Sequence, residues 1–211
     1  HFCAGIDFEL MGALLAEVGA LSPGRREEHL RRIILDLQAA FTALEICRKP
    51  VLAAVQGRCI GGGLDLIAAC DMRYATADAT FSLKEVDLAI VADVGSLQRL
   101  PYLIGEGRLR ELAFTARPFD AAEAQAMGLV NRIFPDAAQL REGVRAIAGT
   151  IAAKSPLTVR GIKQTLNFGR DHGVAEGLHH VATWNAAMLL SDDTRESVAA
   201  AMEKRQPKFA D

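Results

Sequence analysis

Between Arg26 and Ile46 the apolar residues Leu30, Ile33, Ile34, Leu37, Phe41 and Leu44 return at steps of three and four, with Arg31, Arg32, Asp36 and Gln38 between them. That period predicts an amphipathic helix with its polar residues turned to water. Ser22-Pro23-Gly24 reads as the loop before it, and Pro50 as the stop after it, because proline cannot extend the hydrogen-bond ladder. The pattern then changes. Val51-Leu52-Ala53-Ala54-Val55 is short, apolar on both faces and bounded by turn residues, as a buried parallel strand would be. It leads into the glycine-rich loop from Gly57 to Gly63 and a short apolar helix over Leu64–Cys70. Strand, glycine loop, helix is a layout that presents backbone N–H groups to an anion or oxyanion.

Further strands are expected over Met72–Ala75, Thr80–Leu83 and Ile133–Phe134. Helices are expected over Ser96–Ile104, Arg108–Thr115, Ala121–Met127, Ala137–Ala153, Pro156–Leu189 with a break near Gly169–Gly173, and Asp192–Lys204. Asp120 and Asp192 stand where N-caps belong, and Pro156 suits a first helical turn. Strand and helix units come first and helices alone afterwards. An α/β core over residues 1–135 and a C-terminal helical region over 136–211 are therefore predicted.

The 211 residues are 50% hydrophobic and 24% charged, enough to build a sizeable core without metals or disulfides. A net charge of −2 gives no global attraction to nucleic acid or an anionic membrane. No apolar run reaches the ~18 residues that a bilayer-spanning helix needs. Cys3, Cys47, Cys59 and Cys70 show no C-x-x-C pairing and read as reduced core thiols of an intracellular protein. The end Phe209-Ala210-Asp211 lacks the Ser-Lys-Leu peroxisomal address, which favours a cytoplasmic protein. The chain opens at His1 in the middle of what reads as a motif, so a preceding segment is expected.

Three carboxylates stand beside apolar or glycine-bearing stretches: Asp65 on the helix after the glycine triplet, Glu85 after Ser82-Leu83-Lys84, and Asp93 within Ala89-Ile90-Val91-Ala92-Asp93-Val94-Gly95. An arbitrary acid is usually a cap or a solvated charge. Asp93, flanked by Val91, Ala92 and Val94, is expected to lose water, which would raise its pKa and suit it to proton transfer. An N–H near Gly62 is placed to meet a developing negative oxygen. Cys59 has no histidine close in sequence to activate it and reads as a core thiol. His1, His29, His172, His179 and His180 form no metal-binding motif, so no metal is expected. Trp184 reads as packing.

Taken together these segments resemble the crotonase superfamily, the enoyl-CoA hydratase/isomerase family with the ClpP/crotonase fold. Phe2-Cys3-Ala4-Gly5-Ile6-Asp7 is similar to its A-G-x-D loop, and Lys49-Pro50-Val51-Leu52-Ala53-Ala54-Val55-Gln56-Gly57 to its K-P-V-I-A-A-V-x-G strand. Gly61-Gly62-Gly63-Leu64-Asp65-Leu66 followed by Ala69-Cys70-Asp71-Met72-Arg73 resembles its G-G-G-x-[ED]-L…C-D-x-R segment. Gln98-Arg99-Leu100-Pro101 and, later, Gly128-Leu129-Val130 match two more of its signatures. Within the family, a hydratase normally has Glu at the position of Asp65 and no acid at that of Asp93. The trio Asp65, Glu85 and Asp93 is similar instead to the dienoyl-CoA isomerase branch.

The resemblance implies a spiral of ββα units ending in a helical region that assembles homotrimers or homohexamers. It implies an acyl-CoA thioester substrate and no separate cofactor. The N–H groups of Ile6 and Gly62 would hold the thioester oxygen, with further substrate contacts at Gly5, Asp7 and Gly63. Asp65, Glu85 and Asp93 would be catalytic. Moving a 3,5-diene to the 2,4-positions removes a proton at C2 and adds one at C6, so two carboxyl groups at opposite ends of the conjugated chain are wanted. Glu85 is expected to take the first proton and Asp93 to supply the second, with Asp65 orienting the pair. The two could exchange roles, since coupled carboxylates titrate together. A plain enoyl-CoA hydratase or Δ3-Δ2-enoyl-CoA isomerase is the nearest alternative, and a non-catalytic acyl-CoA-binding scaffold the alternative from another class.

Overall fold

The computed structural model describes residues 1–210. Strand β1 (Leu52–Val55) is followed by β2 (Arg58–Ile60) and, after the helices α1 (Phe8–Gly19) and α2 (Pro23–Ile46) of the earlier chain, by α3 (Gly62–Ala68). Then come β3 (Met72–Thr76) and β4 (Thr80–Ser82). These four strands do not pair with their neighbours in sequence. β1 pairs in parallel with β3, Leu52 opposite Met72, and β2 in parallel with β4, Arg58 opposite Thr80. Each ββα turn thus gives one strand to each of two sheets, which is the spiral expected from the resemblance. The first sheet is completed by β6 (Arg132–Phe134) beside β3, the second by β5 (Phe119–Asp120) beside β4. Cys3 forms a parallel bridge with Cys59, so the first residues run alongside β2.

After β4 the chain makes a 3-10 turn (Glu85–Leu88), then α4 (Ser96–Arg99), α5 (Pro101–Ile104), α6 (Glu106–Thr115) and α7 (Ala121–Met127). Pro101 has no N–H to continue α4, so the single helix expected over 96–104 is two. α8 (Ala137–Ala152), α9 (Pro156–His172), α10 (Val174–Met188) and α11 (Asp192–Met202) follow. Asp120 caps α7 by accepting from Glu123 N–H at 2.8 Å. The cap of α11 is Ser191, not Asp192: its hydroxyl accepts from Thr194 N–H, and Asp192 already lies inside the first turn.

The chain divides into two compact units, His1–Glu45 with Val51–Val144, and Ile46–Pro50 with the chain from Arg145 onward. The later boundary lies inside α8, because that helix starts on the core: Leu140 is buried, and a Cβ on Gly143 would collide with the Phe134 ring. In the first unit Val55, Leu64, Ile67, Phe81, Leu100, Leu112 and Leu129 are fully enclosed, and Phe81 stacks on Phe119 at 5.4 Å. Arg73 is buried among carbonyls, donating to Ile67 at 3.1 Å, Cys70 at 2.6 Å and Leu129 at 2.8 Å, and so anchors the end of α3. In the second unit Phe168 lies between the stacked rings of His172 and His180. Trp184 packs where a Cβ on Gly161 would stand, as its packing role predicted. Among the described residues no helix is long and apolar enough to cross a membrane.

Cys59 and Cys70 are buried as expected, but Cys47 is exposed and is no core thiol. Burial, and then the neighbouring Cys3 and Cys70, push the Cys59 thiol far above its ordinary range, which leaves it without nucleophilic character at neutral pH.

Candidate active site

Gly5 and Gly61 both adopt positive φ, +100° and +54°. Both stand two residues beyond the bridged pair Cys3 and Cys59, so the strand register sets them side by side. Only glycine takes such conformations without strain. The next residues are Ile6 and Gly62, and among the described residues neither N–H has a hydrogen-bond acceptor. The two N–H groups therefore leave adjacent parallel segments at equivalent positions, each re-aimed by a glycine. That is a pair of donors to which an external oxygen can be offered.

Gly63 serves packing: a Cβ there would stand 2.6 Å from Cys3 Cβ, so its small size lets the first segment close on α3. Asp7 is the N-cap of α1, accepting from Glu9 N–H at 2.9 Å and Leu10 N–H at 3.1 Å. Its carboxylate is thus already engaged in a local structural task.

Asp65 projects from α3 and is 1% exposed. Its Oδ1 accepts from both the N–H (2.5 Å) and the hydroxyl (2.6 Å) of Ser96 at the start of α4. Its Oδ2 is buried with no partner among the described residues. Burial pushes the Asp65 carboxyl above its ordinary range; the Ser96 hydrogen bonds pull it back, Asp93 pushes it up further and Arg99 opposes.

Glu85 opens the 3-10 turn just past β4, next to the loop that leaves β2, where Gly61 N–H donates to Ser82 C=O at 2.9 Å. A Cβ on Gly61 would stand 3.1 Å from Glu85 Oε1, so the missing side chain is what admits the carboxylate. Glu85 Oε2 is likewise buried and unpartnered. Burial is again the main cause raising this carboxyl, and the negative charges of Asp65 and Asp93 add to it. Lys84 does not neutralise the site, being turned to Asp87 at 2.8 Å.

Asp93 is half-buried and within electrostatic reach of both other acids. The structure thus gathers all three carboxylates. It does not build the apolar box expected around Asp93: Ala92 is buried, but Val91 is 74% exposed and Val94 only half-buried. The segment is too irregular for its apolar residues to close over the acid.

Ser96 was not among the expected site residues; it is the first residue of α4, behind the N-cap Gly95, and no local pattern marks its hydroxyl as a partner of Asp65. Gln38, expected to face water, reaches the site instead and donates to Asp93 C=O at 2.6 Å.

The family profile described as Enoyl-CoA hydratase/isomerase matches residues 1–211. The peroxisomal Delta(3,5)-Delta(2,4)-dienoyl-CoA isomerase of Arabidopsis thaliana is 53% identical over 211 residues, all of this chain and 76% of that protein. The mitochondrial Delta(3,5)-Delta(2,4)-dienoyl-CoA isomerase of Mus musculus is 48% identical over 208 residues, and the chain spans 64% of its length. Among solved structures, enoyl-CoA hydratase from Bacillus anthracis superposes with a TM-score of 0.86 at 34% identity, covering 99% of this chain and 76% of that one. These names overturn the expected cytoplasmic location, since the two similar isomerases are named peroxisomal and mitochondrial. Addresses are read by receptors and leave no trace in a folded core, so nothing in the fold could have supported the cytoplasm.

Proposed function

The chain belongs to the enoyl-CoA hydratase/isomerase family and is an enzyme, and from that premise we propose that it converts 3,5-dienoyl-CoA to 2,4-dienoyl-CoA. The observation that carries this reading is the grouping of Asp65, Glu85 and Asp93, with Glu85 against Gly61 and so next to the residue whose N–H is paired with that of Ile6. The N–H pair binds the thioester oxygen and stabilises the negative charge that develops there when C2 loses its proton.

The placement of Glu85 supports its role at C2. Its carboxylate abuts Gly61, immediately before the Gly62 N–H, and C2 is bonded to the carbonyl carbon whose oxygen that N–H holds. Burial makes ionised Glu85 a better base than an exposed glutamate. Asp65, buried and fixed by the two Ser96 donors, orients the pair, and its charge adds to the rise of the Glu85 carboxyl. Asp93 lies on a separate segment and hands a proton to C6 as the dienolate collapses into conjugation; Glu85 then releases the C2 proton to solvent and Asp93 takes one back, which restores both carboxyls. The net change is one proton removed at C2 and one added at C6, with no electron transfer, so no redox cofactor is called for. The exposed apolar residues Leu166, Val174, Leu178, Leu190 and Met202 support a homotrimer or homohexamer built through the C-terminal helices.

The test is absorbance. Protein mixed with 3,5-dienoyl-CoA is expected to generate the strongly absorbing conjugated 2,4-product, and Asp93→Asn to stop it. Water addition to crotonyl-CoA without diene turnover would replace this reading with a hydratase, and acyl-CoA binding without either reaction would replace it with a scaffold.

A further inference from the structure

Asp93 sits on a segment that the fold barely holds. Among the described residues, 91–94 take part in no backbone–backbone hydrogen bond: the last before them is Ile90 N–H to Glu85 C=O, and the next involves Gly95 C=O. What the backbone omits, side chains supply. Gln38 Nε2 donates to Asp93 C=O at 2.6 Å, and Arg99 Nη1 to Val94 C=O at 3.4 Å. Arg99 is fixed in turn from α2, its Nε donating to Glu45 Oε2 at 2.6 Å and its Nη2 to Thr42 Oγ1 at 3.1 Å. The side chains of Arg99 and Glu45 are only 14% and 12% exposed, so this pair is not a loose surface contact. Gln38, Thr42 and Glu45 follow one another at steps of four and three and therefore share one helical face.

We propose that this face of α2 is a positioning device that sets Asp93 for proton delivery at C6, while the C2 chemistry at Glu85 stands independently of it. The inference rests on the isomerase reading above. Glu85 follows a paired strand and opens a hydrogen-bonded turn, whereas Asp93 depends on tethers whose loss lets it drift, and a drift of about 1 Å can cost on the order of 10²-fold in rate. Gln38, Thr42 and Glu45 are positioning residues; none needs to touch substrate.

The experiment follows both ends of the reaction in D₂O, using absorbance for 2,4-dienoyl product and mass spectrometry for deuterium entering C2 of unconverted 3,5-dienoyl-CoA. Gln38→Leu, which keeps bulk and removes the donor, is expected to slow product formation about tenfold or more while C2 exchange stays within roughly twofold of the parent. Gln38→His returns a nitrogen donor at similar reach and should restore product formation. Thr42→Val, which removes only one acceptor of Arg99, should shift the same ratio in the same direction by less, and it serves where Gln38→Leu folds poorly. Equal loss at both carbons, or no loss at either, would overturn the proposal. A parent that forms no conjugated product would instead overturn the isomerase reading, whereas an Asp93→Asn variant that still protonates C6 would leave that reading standing and overturn the proposal with the role of Asp93; both failures would be visible before any α2 variant is made.

Discussion

Asp65 and Asp93 belong to one acidic cluster and are held in opposite ways. Asp65 rides on a helix whose end is anchored by Arg73, its loop is joined to β4 through Gly61, and one of its oxygens takes two donors from Ser96. Asp93 stands on a stretch without backbone pairing among the described residues and is tethered from α2, a helix distant in sequence. The first acid is fixed by the covalent path of the fold, the second by side chains that could be changed one at a time. Changes in backbone should therefore damage the Asp65 side most, and changes in side chains the Asp93 side.

The largest effect separates the two acids by chemistry. Asp93→Asn should lower isomerisation by roughly 10²–10⁴-fold, the usual worth of a positioned acid, yet leave C2 exchange in place. Equal loss of both rates would remove the division of labour between the ends of the cluster. Next comes the backbone on the rigid side. Gly61→Ala meets a positive φ and a close Glu85 oxygen, so it should misdirect the Gly62 N–H and cost about 10²–10³-fold in both isomerisation and C2 exchange. Unchanged exchange would mean that this N–H does not bind the thioester oxygen.

A smaller effect concerns pH. Folding raises the carboxyls of Asp65 and Glu85 above their unfolded values. Their protonated forms thus support the native state fully below the ordinary carboxylate range, and that support is lost as pH rises through the raised values. Asp65→Asn, which stays neutral, should therefore gain stability over the parent as pH climbs from acid to neutral, read as a growing difference in urea midpoint. A difference independent of pH would show that Asp65 is not held toward its neutral form. The smallest effect lies outside the cluster. Asp7→Ala removes a helix cap and should cost about 1 kcal/mol of stability with KM unchanged; a raised KM with unchanged stability would return Asp7 to substrate contact.

The same contrast explains what could be read from the chain. The strand, the glycine loop and Asp65 lie close in sequence and obey local rules, so their layout was legible from spacing; Glu85 and Asp93 stood out by their apolar neighbours, and the resemblance supplied their roles. The strands β2 and β5 are three and two residues long, too short for any periodicity. α1 escaped because Phe8, Leu10 and Leu15 face outward and only Val18 is buried, so its pattern is not that of a core helix. Gln38 looked like part of a solvated face, since no local pattern tells a glutamine in water from one that binds a carbonyl 55 positions away. Ser96 begins α4 behind the N-cap Gly95, and that its hydroxyl turns to Asp65 is a tertiary fact.

One measurement reaches the centre of this account: where deuterium lies in the 2,4-dienoyl-CoA formed by the parent protein in D₂O. Separate carboxyl groups at the two ends require C6 to receive its hydrogen from an exchanged Asp93, so the product should carry deuterium at C6. A product whose C6 hydrogen is the one that left C2, with no deuterium gained, would mean that a single group serves both carbons and would contradict it.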